Sequence, residues 1–329
     1  LINFFLCRFF SNDSIFHTSR FPCPSQMLGY LAAAAIAAAT AYFWQERGAK
    51  RLLHVKPSEE RVVIVGCTSG IGRQLALLYA HRKCKLMLFA RRQDLLNSLQ
   101  EEAEELGAQA FTLCGDATAE DDVKKLARAT QENLQGVDTL IICAGAISVQ
   151  PFLELCGGLE GQAKQDPMEA VRRITAINYY APIQLTQYFL PMLIQTSDQP
   201  NIIVVSSLAG KAGAPTRSLY AGSKHAVHGF FDSLRVEVAK YNVHIGLVCP
   251  GTVNTDLRQS AVDLDSNSAV HGSTKGKLDP KTVAQAIVHA SDLRQREVLI
   301  PHLMGLGANW GKLLAPALVD RFASKKYAF

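Results

Sequence analysis

From Arg61 onward, short runs in which nearly every position is apolar alternate with longer stretches in which apolar residues recur at helical spacing. The runs read RVVIV, KLMLFA, QAFTLCG, DTLIICAG, NIIVVSS, HIGLVCP and REVLIP. A strand that is apolar on both faces suits a parallel sheet with helices packed above and below it. The alternation therefore predicts an α/β fold, with residues 61–300 forming a single doubly wound domain around a parallel sheet of about seven strands. Two polar, Gly-containing stretches, Ser148 to Met168 and Thr252 to Pro280, read as loops, and loops at the carboxyl ends of such strands shape the ligand crevice.

The pattern changes at both ends. Residues 28–44, LGYLAAAAIAAATAYFW, carry no charge and place Tyr30, Tyr42 and Trp44 near their limits. Seventeen such residues with aromatic ends are the short limit of a membrane-spanning helix. The expected organisation is an upstream segment at 1–26, ahead of Met27, a transmembrane signal anchor at 27–45 and a linker at 46–60. A cleaved signal peptide and a buried alanine-rich helix compete with the anchor; the lack of basic residues between Met27 and the run argues against cleavage. Arg47, Lys50, Arg51 and Lys56 follow the run, which by the positive-inside tendency leaves the domain facing the cytosol. In the tail, 301–329, Leu303, Leu306, Trp310, Leu313, Leu314 and Leu318 recur at near-helical spacing, an amphipathic stripe that suits a bilayer, the protein's own core or a partner subunit.

Composition narrows the classes. With 48% hydrophobic residues the chain has enough apolar surface for a large core. The net charge of +5, from 34 basic and 29 acidic residues, is spread without basic blocks interleaved with aromatics, so no nucleic-acid surface is expected. The eight cysteines stand singly, with no C-x-x-C pair and no zinc-type spacing, so no metal is expected and a reducing compartment is.

The first strand runs straight into candidate chemistry. In VVIVGCTSGIGRQLALLYA, Gly66, Gly70 and Gly72 form a G-x-x-x-G-x-G turn between strand and helix, with Ser69 and Ile71 inside it. Such glycines let the backbone approach a pyrophosphate, which sits on the free amides at the helix start. A Rossmann-type dinucleotide site is predicted there. A site selective for NAD would carry an acid at the end of the second strand; here that place falls on Ala90, followed by Arg91 and Arg92. Arginine forks bind a 2′-phosphate, so the predicted cofactor is NADP(H), although arginines also cap solvated turns. Asp116 is placed either to accept from the adenine amino group or to cap the next helix.

Tyr220 and Lys224 lie four residues apart in YAGSKHAVHGF and share a helix face. Alone, the pair reads either as a half-buried tyrosine beside a solvated lysine or as a phenol whose pKa a neighbouring ammonium lowers toward neutrality.

In this order the pieces resemble the short-chain dehydrogenase/reductase family over nearly all of residues 60–300. The resemblance rests on GCTSGIG, CAG at Cys143 to Gly145, Asn178 in TAINYYAP, VVSSLAGK at Val204 to Lys211, YAGSK, and PGTVNT at Pro250 to Thr255. It implies that Ser207, thirteen residues before Tyr220, orients a substrate carbonyl, and that Tyr220 donates the proton. Lys224 would hold the nicotinamide ribose and depress the tyrosine's pKa, and Asn178 would hold a water in the proton relay. Cofactor contacts are implied for Ala144, Gly145, Pro250, Gly251, Val253 and Thr255, besides the glycine turn, Tyr220 and Lys224. One departure is that the family's usual NNAG reads ICAG, with Ile142 and Cys143 in place of two asparagines.

Within the family the anchor, SSLAGKAG and the tail look most like membrane-bound members related to hydroxysteroid dehydrogenases. The implied substrate is a small hydrophobic ketone or alcohol, such as a steroid, a retinoid or an acyl dihydroxyacetone phosphate. The implied setting is the endoplasmic reticulum or peroxisome membrane, and a homo-oligomer is left open. A ketoacyl or 3-ketosphinganine reductase would share every motif, whereas an NADPH sensor or a tethered interaction protein would have no need of the proton relay.

Overall fold

The structure, a computed structural model, describes residues 51–161, 163, 166–258, 261–263 and 276–327. All of these belong to one compact unit. The segment 1–26 and the anchor expected at 27–45 lie outside the described residues. Among the described residues, no helix is long and apolar enough to cross a membrane.

Each of the seven apolar runs supplies one strand: β1 (Arg61–Val65), β2 (Lys85–Ala90), β3 (Gln109–Cys114), β4 (Thr139–Ile142), β5 (Asn201–Val205), β6 (His244–Pro250) and β7 (Glu297–Ile300). They form one parallel sheet in the order β3-β2-β1-β4-β5-β6-β7. The helices are α1 (Gly70–His81), α2 (Gln93–Glu105), α3 (Glu120–Leu134), α4 (Pro167–Thr175), α5 (Ala181–Thr196), α6 (Ser218–Glu237), α7 (Pro280–Asp292), α8 (His302–Leu314) and α9 (Pro316–Tyr327).

The pleat explains why the strands had to be apolar throughout. Val62 and Ile64 of β1, with Leu86 and Leu88 of β2, pack against Leu75 and Tyr79 of α1, Leu96 and Leu99 of α2 and Ile287 of α7. Val63 and Val65, with Met87 and Phe89, pack the other way, in the layer of Leu126 of α3, Leu185 and Phe189 of α5 and Phe231 of α6. Side chains alternate across a strand, so both faces need apolar partners, each fully buried Val, Leu or Ile contributing about 1.5–3 kcal/mol.

Three segments differ from the sequence expectation, the first being Phe152–Leu155, a short helix inside the stretch read as a loop. Residues 51–54 are helical, and Arg51, expected among the solvated charges of a linker, is fully buried. Its Nη2 donates to Glu60 Oε1 at 2.7 Å and to Thr139 Oγ1 at 2.8 Å, at the amino ends of β1 and β4. A guanidinium buried against a carboxylate belongs to the domain rather than to a linker. The tail, read as one amphipathic stripe, divides at Ala315–Pro316 into α8 and α9, because proline cannot continue the donor ladder of α8.

Candidate active site

In the sheet order the chain reverses direction between β1 and β4, and a crevice forms outside the carboxyl ends of the strands at such a switch point. The turn from β1 to α1 lies there. Gly66 and Gly70 have φ of +86° and +54°. A Cβ on Gly66 would stand 2.6 Å from the Ala144 amide nitrogen, and one on Gly72 would overlap the Gly66 carbonyl. Only glycine closes this turn against β4. Ser69 caps α1 by position but makes no side-chain cap bond, which leaves the first amides of α1 open to the crevice. An uncapped helix start behind a close-packed glycine turn fits the pyrophosphate of a dinucleotide.

Arg91 and Arg92 stand exposed at the crevice lip, beyond the end of β2. The Arg92 Nη2 donates to Thr68 Oγ1 at 3.0 Å, which ties it to the glycine turn. Asp116 Oδ1 accepts from the amide and hydroxyl of Thr118, both at 2.8 Å. It thus closes a turn ahead of α3 without being the cap residue, which is Ala119.

The reactive groups come from three elements. Ser207 follows β5 and starts a 3-10 turn, with its Oγ accepting from Ala209 N at 3.1 Å and donating to Pro250 O at 3.4 Å. Tyr220 and Lys224 lie one turn apart on α6, both buried. The Tyr220 phenol hydrogen-bonds to Ser207, and burial pushes its pKa up, against the opposing effects of that bond and of the Arg217 charge. Burial also lowers the Lys224 ammonium to about 8.

Lys224, expected from the resemblance to depress the phenol's pKa, packs beside the Tyr220 ring. Lys224 Nζ lies 5.9 Å from the centroid of the Tyr220 ring and donates to Val205 O at 3.0 Å. The ammonium is fixed by that bond to the end of β5, and the positive charge that opposes burial at the phenol is that of Arg217. Helical spacing brought the two side chains together; burial sets their protonation.

Asn178 lies in a single π-helical turn, Ala176–Tyr180, between α4 and α5. Its Oδ1 accepts from Ala146 N at 2.9 Å, and its Nδ2 donates to Ala146 O at 2.9 Å and to Ser223 Oγ at 3.0 Å. The amide therefore clamps the loop leaving β4 to α6. A Cβ on Gly145 would come within 3.1 Å of Asn178 Oδ1 and 3.7 Å of Lys224 Nζ, so Gly145 opens the space both side chains share.

One cavity of about 1600 Å³ gathers nearly all of these groups. Gly66, Ser69, Gly70, Ile71, Arg91, Arg92, Asp116, Ala144, Gly145, Pro250, Gly251, Val253 and Thr255 line it with Ser207, Tyr220 and Lys224. Gly72 and Asn178 stand behind its wall. Sequence reasoning missed Thr68, Arg217 and the wall built by the tail. Gly307, Ala308 and Gly311 of α8 and Leu318, Phe322 and Tyr327 of α9 face the cavity. Arg217, three residues before Tyr220 on the same helix start, was legible from spacing; the cavity face of α8 was not, because it is made largely of glycine and alanine.

A glycine-turn cradle opening onto buried serine, tyrosine and lysine at a switch point defines an oxidoreductase site of the doubly wound α/β class. The family model described as short chain dehydrogenase matches residues 60–265. The chain belongs to this short-chain dehydrogenase/reductase family. It is 31% identical to dehydrogenase/reductase SDR family member 7B of Bos taurus, over 80% of each chain. It is 33% identical to SDR family protein 7-like of Dictyostelium discoideum, over 81% of each, and 32% identical to its Anopheles gambiae counterpart, over 78% of this chain and 80% of that one. These relatives bear out the resemblance carried by the motifs.

Two solved structures share the fold. A short-chain dehydrogenase/reductase from Burkholderia phymatum in complex with NAD aligns with a TM-score of 0.67 at 21% identity, covering 79% of this chain and 95% of its own. The alcohol dehydrogenase of Thermococcus sibiricus, complexed with 5-hydroxy-NADP, aligns at 0.61 and 22%, covering 73% and 95%.

Proposed function

We propose that this chain is an NADP(H)-dependent oxidoreductase that interconverts a carbonyl and a hydroxyl on a hydrophobic substrate. The observation that carries the reading is one cavity holding Ser207, Tyr220 and Lys224 next to the glycine turn. When bound, the nicotinamide cofactor supplies or accepts the hydride. The protein's own groups do the rest. The Ser207 hydroxyl donates to the carbonyl oxygen and orients it, and the Tyr220 phenol, kept protonated by burial, gives that oxygen its proton. Lys224, fixed by Val205 O beside the phenol ring, would hold the nicotinamide ribose. Arg91 and Arg92, with Ala90 where an acid would repel phosphate, favour NADP(H) over NAD(H).

Leu318, Val319 and Phe322 on the cavity wall favour a lipid-like substrate, and Arg173, Arg217 and Arg258 on the same cavity favour one with an anionic group. The membrane setting belongs to the same proposal: an anchor at 27–45 with the domain in the cytosol, at the endoplasmic reticulum or peroxisome. Protease treatment of sealed organelles followed by carbonate extraction tests it; a protected domain, or one released by carbonate, overturns it.

Purified chain incubated with NADPH and a panel of hydrophobic ketones should oxidise the cofactor. Tyr220→Phe should lower turnover by about 10²–10⁴ while NADPH binding, read by fluorescence, is retained. Turnover at the parent rate would overturn the assigned proton donor.

A further inference from the structure

Adjoining Ser207 lies a cluster that the reaction does not use. His228 of α6 is buried, with Nε2 2.9 Å from Ser206 Oγ and 3.6 Å from Cys249 Sγ of β6. A carboxylate oxygen of Glu297, at the start of β7, completes a set in which the imidazole nitrogen, the thiol sulfur and the carboxylate all lie within 4.8 Å of one another. Gly210 makes room for it: a Cβ there would stand 2.8 Å from the His228 ring.

From this arrangement we propose that His228, Cys249 and Glu297 form an inhibitory site for a borderline-soft divalent cation of the Zn²⁺ class. Zinc bonds of about 2.3 Å to sulfur and about 2.0 Å to nitrogen, at a tetrahedral angle, put the two ligand atoms roughly 3.5 Å apart. The observed 3.6 Å already matches. The carboxylate, half-buried, needs only a small swing to complete the third ligand. Glu297 is now paired with the Lys211 ammonium, the resident positive charge that the ion replaces. In the binding step the Cys249 S–H bond breaks, a sulfur–metal bond forms and the proton leaves to solvent, with no change of oxidation state. Imidazole and thiolate together select zinc-like ions over Mg²⁺ and Ca²⁺, which take oxygen ligands.

Inhibition follows from the neighbours. Cys249 precedes Pro250, whose carbonyl accepts from Ser207 Oγ, and Ser206 precedes Ser207 itself. Binding the ion occupies His228 Nε2, so the Ser206 hydroxyl beside Ser207 loses the bond it shares with that nitrogen, while Cys249 is drawn toward the ion at the strand end that carries Pro250.

Co²⁺, a spectroscopic stand-in for Zn²⁺, tests the site in the purified full chain. One equivalent should give a thiolate-to-cobalt charge-transfer band that Zn²⁺ removes and Mg²⁺ does not. Cys249→Ser should abolish the band, and Glu297→Gln should weaken Co²⁺ binding about 10-fold or more. No band, or a band unchanged in Cys249→Ser, overturns the site. If Cys249→Ser does not fold, as judged by thermal melting, Glu297→Gln decides instead, and unchanged Co²⁺ affinity in that variant is equally fatal. Stoichiometric Zn²⁺ should also suppress turnover, with recovery on adding a chelator; full turnover at saturating Zn²⁺ refutes the inhibitory role. The band appears without substrate or nucleotide, so the site stands or falls apart from the proposed reaction.

Discussion

Replacing Lys224 by Met should stabilise the cofactor-free protein while destroying its activity. The lysine is buried, and burial lowers its pKa from 10.5 to about 8. That difference corresponds to about 3 kcal/mol of cost for keeping the ammonium charged inside the fold near neutral pH. Methionine fills similar space without a charge, but Val205 O then loses the bond it accepts at 3.0 Å, a loss of about 1 kcal/mol. The net gain of about 2 kcal/mol should raise the melting temperature by roughly 4–8 °C for a domain of this size. The sign of the pH dependence follows from which state holds the proton. Between about pH 8 and 10.5 the unfolded chain binds it and the folded chain does not, so the parent's stability rises across that window. The variant's advantage should therefore be full at about pH 7 and shrink toward about pH 10. Thermal melts at both pH values, with turnover measured alongside, check this. A variant that melts at or below the parent at neutral pH, or an advantage independent of pH, would refute the claim that burial sets the charge of Lys224.

Arg91→Ala combined with Arg92→Ala should weaken NADPH by about 10-fold or more and NADH little, by fluorescence titration, because only NADPH carries the phosphate that the two forks meet. Gly72→Ala forces a Cβ into the Gly66 carbonyl, so nucleotide affinity and thermal stability should fall together. Deleting residues 316–329 should leave NADPH binding intact and raise KM for lipid ketones, since α9 supplies Leu318, Phe322 and Tyr327 to the cavity wall but nothing to the glycine turn.

The elements that sequence made legible are those in which one physical demand dictates residue type. Val62 to Val65 had to be apolar because alternate side chains enter different layers, and a run with no polar phase signals that situation. Gly66 and Gly72 had to be glycine because Ala144 and Gly66 leave no room for a Cβ. Tyr220 and Lys224 were found because α6 carries both on one face. What escaped was set by rotamer or by distant chain. The aim of Lys224 at Val205 O depends on where β5 ends relative to α6, which spacing does not encode. Arg51 looked like a charge flanking an apolar run, and only the meeting of β1 and β4 supplies Glu60 and Thr139 to bury it. His228, Cys249 and Glu297 come from a helix and two strands, so no local motif announces them.

The tail shows the same limit in reverse, since of its conspicuous stripe only Leu318 lines the cavity. Leu303, Trp310, Leu313 and Leu314 drew attention as a stripe, yet all four are exposed. The face of α8 that meets the cavity is Met304, Gly307, Ala308 and Gly311, with Ala315 where the chain turns into α9. Outside that face, Gly305 lets α8 approach β7 closely, since a Cβ there would collide with Leu299 of that strand. The bulkier apolar lining from the tail, Leu318, Val319 and Phe322, comes from α9. Chain beyond the end of the sheet thus contributes apolar lining to the cavity that holds the phenol. Burial is what keeps the Tyr220 proton on its oxygen and lowers the affinity of Lys224 for its own. Tyr327 of α9 is among the groups that raise the Tyr220 pKa, so the tail acts on the phenol in the same direction as burial.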